Sequence, residues 1–325
     1  MQYRQLGNSG LRVSQVGLGG NVFGPPRLDL EGSMRNIHRA QELGVNFIDT
    51  AYFYNDGKSE EFIGKAIADR RDAFVIATKF HFFQMGEDES PEQRIRQQCE
   101  TSLQRLGVDC IDLYQIHFPD DRVAPERILE TLAALRREGK IRHAGQCNYA
   151  AWRHMEALGV AQAADLPKMV TAQNQYNVLR RQVELELLPF CRARDIGFLP
   201  YFPLAGGFLS GKYRPGEAPP PGTRGAAGSG VVRRNRNQRN ETLVEELTTY
   251  AADHGRSLLE LAVAWLLADP VVSSVIAGAM NVTQLEQNVA AADWKLAAEE
   301  KAQIDAIAVW DGSEELIEPT LEYFR

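Results

Sequence analysis

What most constrains the fold of this chain is a repeated beat. Short apolar segments rich in β-branched residues recur at 16–20, 47–50, 74–79, 111–117, 141–147, 170–175, 198–203 and 271–279. The first seven begin 31, 27, 37, 30, 29 and 28 residues apart, about the length of one strand plus one crossover helix. Each interval predicts a βα unit. Between 79 and 111, Ser90 suits an N-cap and Pro91 the first helical position, and Ile95, Cys99, Leu103 and Leu106 form one apolar stripe before Gly107. The next interval repeats the design with Pro125 at its start, Ile128, Leu129, Leu132 and Leu135 inward, and Gly139 past the end.

Eight strands alternating with helices, with no composition break for a linker, predict a single (β/α)8 TIM barrel domain over residues 1–325 rather than a doubly wound sheet or two domains. Segments 3–6 and 11–14 flank Gly7 and Gly10, which predicts an N-terminal β-hairpin closing the bottom of the barrel. The long interval from 203 to 271 begins with a Gly-, Pro- and Arg-rich stretch, 205–238, expected as a long functional loop or a partly mobile lid, and continues with helical patterns at 242–254 and 258–268. Two more helices are expected at 284–292 and 299–308, before an acidic tail from Glu314.

Charge and composition exclude several functions. With 36 Lys plus Arg against 43 Asp plus Glu the net charge is −7, which disfavours a grip on nucleic acid. The longest wholly apolar run, 261–268, falls far short of the roughly 20 residues that span a membrane, and residues 1–10 carry no apolar leader, so a cytoplasmic protein without membrane partners is expected. Cys99, Cys110, Cys147 and Cys191 are scattered and suggest free thiols. The histidines at 38, 81, 117, 143, 154 and 254 contain no HxH or HxxxH pair, so no metal site is expected. The oligomeric state is not encoded in any of these features.

In a barrel the active site lies at the C-terminal ends of the strands. Asp49 ends the second apolar segment, Lys79 the third and His117 the fourth, and Tyr54 follows Asp49 by five residues. Singly, each has an ordinary structural explanation: a cap, a charged strand end, a core histidine, a rim aromatic. Together on one rim they form a candidate constellation.

Through DTAYFY at 49–54, Lys79, and QIHFPD at 115–120, the chain resembles the aldo-keto reductase superfamily. The likeness continues through GKIRHAGQCNY at 139–149, AQNQYNVLRR at 172–181, YFPLAGGFLSGKY at 201–213 and GAMNVTQLEQN at 278–288, nearest to the bacterial and potassium-channel β-subunit-like branch. The resemblance implies reduction of an aldehyde or ketone by hydride transfer from a nicotinamide cofactor. Tyr54 would be the proton donor, Lys79 would lower its pKa, Asp49 would fix Lys79, and His117 would orient the carbonyl. An ammonium at about 4 Å in an effective dielectric near 20 is worth roughly 4 kcal/mol, about three pKa units before desolvation is subtracted.

For the cofactor, the resemblance implies that Asn148 and Gln173 meet the carboxamide, that Tyr201 stacks on the nicotinamide, and that Leu204, Ala205, Gly206 and Gly207 with Lys212 wrap the pyrophosphate. Gly20, Asn21, Asp49, Cys147, Phe202, Pro203, Gly278 and Met280 complete the expected cofactor surface. NADPH is expected over NADH, with Arg224 and Gln284 on the 2′-phosphate and Gln287 and Asn288 near the adenine. A Rossmann site is disfavoured because Val22 occupies the third glycine position counted from Gly17. Two positions depart from the family: Cys147 and Phe202 stand where serine is common. Cys147 as a nucleophile is the sharper alternative for the first. Phe23, Phe80, Phe82, Phe83 and Phe118 fall after strands, and of these Phe23, Phe80 and Phe118 are expected to line a small-molecule carbonyl substrate pocket. A reading of a different kind is a cofactor-loaded binding or redox-sensing subunit with little turnover.

Overall fold

The recurring segments become strands because they are short, β-branched and bounded by turns. The computed structural model describes residues 1–310 apart from 87 and 215, together with residue 312. A hairpin of β1 (Tyr3–Gln5) and β2 (Arg12–Ser14) precedes β3 (Val16–Gly19), β4 (Phe47–Asp49), β5 (Val75–Phe80), β6 (Ile111–Ile116), β7 (Ile141–Cys147), β8 (Thr171–Gln175), β9 (Gly197–Tyr201) and β10 (Val275–Ala277). The last eight pair in the order β10-β3-β4-β5-β6-β7-β8-β9, every pair parallel. A bridge between Phe198 and Val272 brings the approach to β10 beside β9, so the sheet curls into a nearly closed (β/α)8 barrel.

The crossovers are α1 (Leu30–Glu42), α2 (Lys58–Ile67), α3 (Pro91–Leu106), α4 (Pro125–Arg137), α5 (Ala151–Ala163) and α6 (Leu187–Arg194). The interval from β9 to β10 holds α7 (Gly230–Asn235), α8 (Gln238–Asp253) and α9 (Leu258–Leu267), and α10 (Val282–Ala290) and α11 (Ala298–Ile307) follow β10. In α3 the Ser90 side chain accepts from Gln93 N–H with Pro91 in the first turn, and Gly107 ends the helix at φ 62°, as the pattern predicted. α8 starts four residues before the apolar pattern does, because the Asn237 side chain caps it by accepting from Asn240 N–H at 3.0 Å. The 205–238 stretch is less irregular than expected: a tight turn over Ala205–Ser210 is followed by α7, whose Val231 and Val232 are buried. The eighth segment forms a strand only at Val275–Ala277, since Asp269 draws the chain into a turn by accepting from Val271 and Val272 N–H. The acidic tail from Glu314 lies outside the described residues.

Period two sorts the side chains. Phe47, Ala77, Leu113, Leu199 and Ile276 face the barrel interior, where Leu6 and Val13 of the hairpin region join them and close one end. Ile48, Ile76, Phe80, Tyr114 and Ile116 face the other way and pack with Ile37, Ile63, Ile95 and Leu132 of the helices. Among the described residues no helix is long and apolar enough to cross a membrane.

Candidate active site

At one rim the backbone pairing continues past several strand ends. Tyr52 N–H donates to Lys79 O at 3.0 Å, His117 N–H to Phe80 O at 2.8 Å, and Asn148 N–H to Gln173 O at 2.9 Å. Side chains mounted there ride on rigid backbone. Asp49 closes β4, Lys79 is the last inward residue of β5 and His117 directly follows β6, so three adjacent strands bring these groups to one end of the barrel. Tyr54 enters from the loop after β4, where Asn55, Asp56 and Gly57 adopt φ of 51°, 53° and 84°. Left-handed backbone at a non-glycine residue costs about 1 kcal/mol or more. Asn55 helps to hold it, donating from Nδ2 to Phe23 O at 2.7 Å and Asn21 O at 3.2 Å.

Lys79 is fully buried. Its Nζ donates to Asp49 Oδ2 at 2.7 Å and to Thr50 O at 2.8 Å, and lies 5.4 Å from the centre of the Tyr54 ring. Burial opposes its charge, but Asp49 and Tyr54 more than offset that, and its pKa rises. Lys79 is therefore an ammonium throughout the neutral range. The other Asp49 oxygen, Oδ1, accepts from Gln173 Nε2 at 2.8 Å and Gln115 Nε2 at 3.4 Å.

At Tyr54 Lys79 pulls the pKa down as expected, but burial outweighs it. Burial pushes its phenol up to about 12, against the downward pull of Lys79 and with a further upward push from Asp49. The carboxylate 2.7 Å from the ammonium opposes its field at Tyr54, and burial removes the hydration that would favour the phenolate. Beside it, burial and then Lys79 and His81 hold the His117 imidazole well below its ordinary range. The Tyr54 and His117 ring centres are 5.7 Å apart. The rim thus holds a fixed cation, a phenol that keeps its proton and a neutral imidazole with one N–H to donate.

The residues expected to meet the carboxamide are engaged with one another. Asn148 Nδ2 donates to His117 O at 2.9 Å, Tyr201 Oη donates to Asn148 Oδ1 at 2.7 Å, and Cys147 Sγ donates to Gln173 Oε1 at 3.3 Å. Gln173 thus joins the cofactor-side amides to Asp49. Cys147 is buried, and burial pushes its thiol well above its ordinary range; as a protonated donor to an amide it has no nucleophilic character.

The next segment has the chemistry of an anion cradle. Phe202, Ala205, Gly206, Gly207 and Gly211 all have positive φ, from 49° to 103°, the kind of backbone that turns successive N–H groups toward an anion. A Cβ on Gly207 would lie 2.8 Å from Lys212 Nζ, so the ammonium sits over bare backbone that only glycine leaves open. Pro203 and Leu204 lead into this turn. Arg224, half-buried in the following loop, has its guanidinium pulled down to about 10 by burial and by the neighbouring Arg27. Two guanidinium groups brought near each other favour an anion between or beside them. Across the rim, Gly20 and Asn21 open a turn after β3, and a Cβ on Gly278 would lie 3.4 Å from Asn21 Oδ1. At the start of α10, Gln284 Oε1 accepts from Met280 N–H at 2.9 Å, leaving the donors of its amide at Nε2. Asn288 is buried and reaches Gly278 O at 3.4 Å, while Gln287 is exposed. These donors and cations could hold the phosphates of a dinucleotide.

The aromatic residues divide. Phe118 stacks on His117 with centres 4.4 Å apart and lies 4.7 Å from Phe83. Phe80 does not join them. It is the terminal residue of β5, and since Lys79 points in, Phe80 points out, 4.9 Å from Tyr114 in the layer beneath the helices. Phe23 is likewise fully buried in that layer, and Phe82 packs beside Phe80. Phe53 takes their place, stacked 4.9 Å from His117 and edge-on to Tyr54 at 5.4 Å. Its position inside DTAYFY was the available signal; Arg27 had none.

A model of the aldo/keto reductase family matches residues 15–309. The chain is 33% identical to the uncharacterized oxidoreductase YrpG of Bacillus subtilis, over 97% of this chain and 98% of that protein. It is 35% identical to a probable voltage-gated potassium channel subunit beta of Oryza sativa, over 90% and 92%. Aldo-keto reductase YhdN of Bacillus subtilis is 31% identical over 94% and 93%.

Proposed function

Since the chain belongs to the aldo/keto reductase family and has the general character of an oxidoreductase, we propose that it is a single-domain cytoplasmic enzyme that reduces small aldehydes or ketones with NADPH. The observation that carries this reading is the buried Lys79–Asp49 pair beneath the ring of a protonated Tyr54, with neutral His117 alongside. When bound, the reduced nicotinamide supplies a hydride to the carbonyl carbon. Negative charge then grows on the carbonyl oxygen, which needs a hydrogen-bond donor and a proton. His117 donates from its N–H and orients the oxygen. Tyr54 gives up its proton, and Lys79 stabilises the phenolate left behind. Asp49 holds Lys79 in place. Phe53, Phe83 and Phe118 make the approach apolar, which favours a substrate with an aromatic or aliphatic body.

The second reading is a cofactor-loaded binding or redox-sensing subunit of the channel β-subunit type with little turnover, and the likeness to a probable voltage-gated potassium channel subunit beta of rice keeps it open to test. His117 beside Tyr54 favours turnover instead. A screen of aldehydes, ketones and alcohols with NADPH and NADH, followed by the absorbance of the reduced nicotinamide, tests both. Turnover of aromatic or aliphatic aldehydes is the expected result; tight cofactor binding with no turnover across the panel would overturn the enzymatic reading.

Arg224→Ala is expected to raise Kd for NADPH about ten- to a hundred-fold more than for NADH, because only the former carries a 2′-phosphate for a charge-assisted hydrogen bond. Fluorescence titration with both cofactors measures this. Equal losses for the two would move Arg224 to the shared pyrophosphate.

A further inference from the structure

One guanidinium touches the Tyr54 loop at both of its ends. Arg105, in the last turn of α3, donates from Nη1 to Tyr52 O at 2.8 Å, and its guanidinium lies 4.6 Å from the centre of the Tyr52 ring. At the far end of the loop, a Cβ on Gly57 would fall 2.3 Å from Arg105 Cζ. Gly57, at φ 84°, is thus glycine for two reasons: its backbone conformation and the arginine pressed against it. Between these contacts lie Phe53, Tyr54 and the two left-handed residues Asn55 and Asp56.

The arginine is itself anchored. Its Nη1 also pairs at 3.2 Å with Glu60 Oε2, and the Glu60 side chain is fully buried. Glu60 Oε1 accepts from Thr78 Oγ1 at 2.6 Å. Thr78 directly precedes Lys79, whose carbonyl takes the Tyr52 N–H. A closed circuit therefore runs Tyr52, Arg105, Glu60, Thr78, Lys79 and back to Tyr52. It lies on the outward side of β5, away from the cofactor surface. We propose that Arg105, braced by Glu60, is a positioning residue that holds Tyr54 in register with Lys79. This rests on the reading of Tyr54 as general acid. Both hydrogen bonds leave one nitrogen, Nη1, while the flat guanidinium lies against Gly57 and the Tyr52 ring, a contact that a compact lysine ammonium does not reproduce.

The test compares Arg105→Lys, the double variant Arg105→Met/Glu60→Gln, and Leu247→Ala. The double variant avoids stranding a buried carboxylate, and Leu247→Ala is a stability control in the α8 core. Deuterium uptake of the 50–58 peptide in the cofactor-free protein is expected to speed up in both Arg105 variants and not in the control. Per cofactor-competent site, kcat of the double variant should fall by about 10²-fold with cofactor Kd unchanged within about two-fold, the scale of an ångström's displacement of a reacting group. Its solvent deuterium isotope effect should grow as proton donation limits the rate. Arg105→Lys should recover Tm more fully than kcat. Unchanged uptake at 50–58 and an unchanged isotope effect, with Tyr54→Phe still inactive, would overturn the positioning role and leave Arg105 as a packing residue. Normal turnover in Tyr54→Phe would overturn the general-acid reading and this role with it, while the uptake data still report whether Arg105 holds the loop.

Discussion

Tyr54→Phe is expected to leave cofactor affinity unchanged and to lower carbonyl reduction by about 10²- to 10⁴-fold, the span usual for loss of a general acid. The substitution removes one oxygen and keeps the ring that packs against Phe53 and His117, so the loop and the apolar approach survive. Only the proton is lost. The same reasoning fixes a pH profile. A donor must be protonated, and activity disappears as pH rises through its folded pKa; burial places that near 12 for Tyr54. His117 stays neutral because its pKa is depressed. Reduction should therefore have a flat kcat/KM from about pH 6 to about pH 9, since neither group titrates there. Steady-state kinetics of the variant and a pH series of the parent protein check both statements. Near-normal turnover in the variant, or a loss of kcat/KM centred near neutrality, would remove Tyr54 from the role.

Lys79→Met is expected to have the largest combined effect, because one change removes both a reacting group's partner and half of a buried ion pair. Asp49 Oδ2 would lose its cation while remaining in a buried site. Breaking such a pair costs about 3–5 kcal/mol, and the bond to Thr50 O is lost as well. On the catalytic side, the phenolate left by proton donation would have no ammonium to stabilise it. Activity should fall at least as far as in Tyr54→Phe. The two effects separate in the double variant Lys79→Met/Asp49→Asn, which replaces the stranded carboxylate with an amide able to bond to the Gln173 and Gln115 side chains. Thermal denaturation should show Tm largely recovered, while kcat/KM stays at the level of the single variant. Recovery of activity along with Tm would assign Lys79 a structural role only.

Much of the architecture was legible locally. Ser90–Pro91 and Gly107 bracket α3 because caps act within one turn of the chain. The residues ending the second, third and fourth apolar segments meet on one rim because parallel strands in one barrel all end at the same side. The short strand β10 and the early start of α8 were not legible, since the first yields to a turn built by Asp269 and the second is set by the Asn237 cap rather than by apolar spacing. Phe80, which the sequence places in the loop after the third apolar segment, is the last residue of β5, and parity turns its side chain away from Lys79.

The order of strands and helices and the residue types that reach the rim follow from periods and caps spanning a few residues, so they are written in the sequence. Tertiary structure alone decided the environment of those residues. Whether the Tyr54 phenol rises or falls depends on desolvation against a nearby but neutralised cation, a balance between Lys79, Asp49 and everything that excludes water. Gln173 binds Asp49 across 124 residues of chain, and Arg105 braces Tyr52 across 53. Such contacts carry no local pattern, because their strength comes from burial and from distances that exist only once the barrel has curled to near closure.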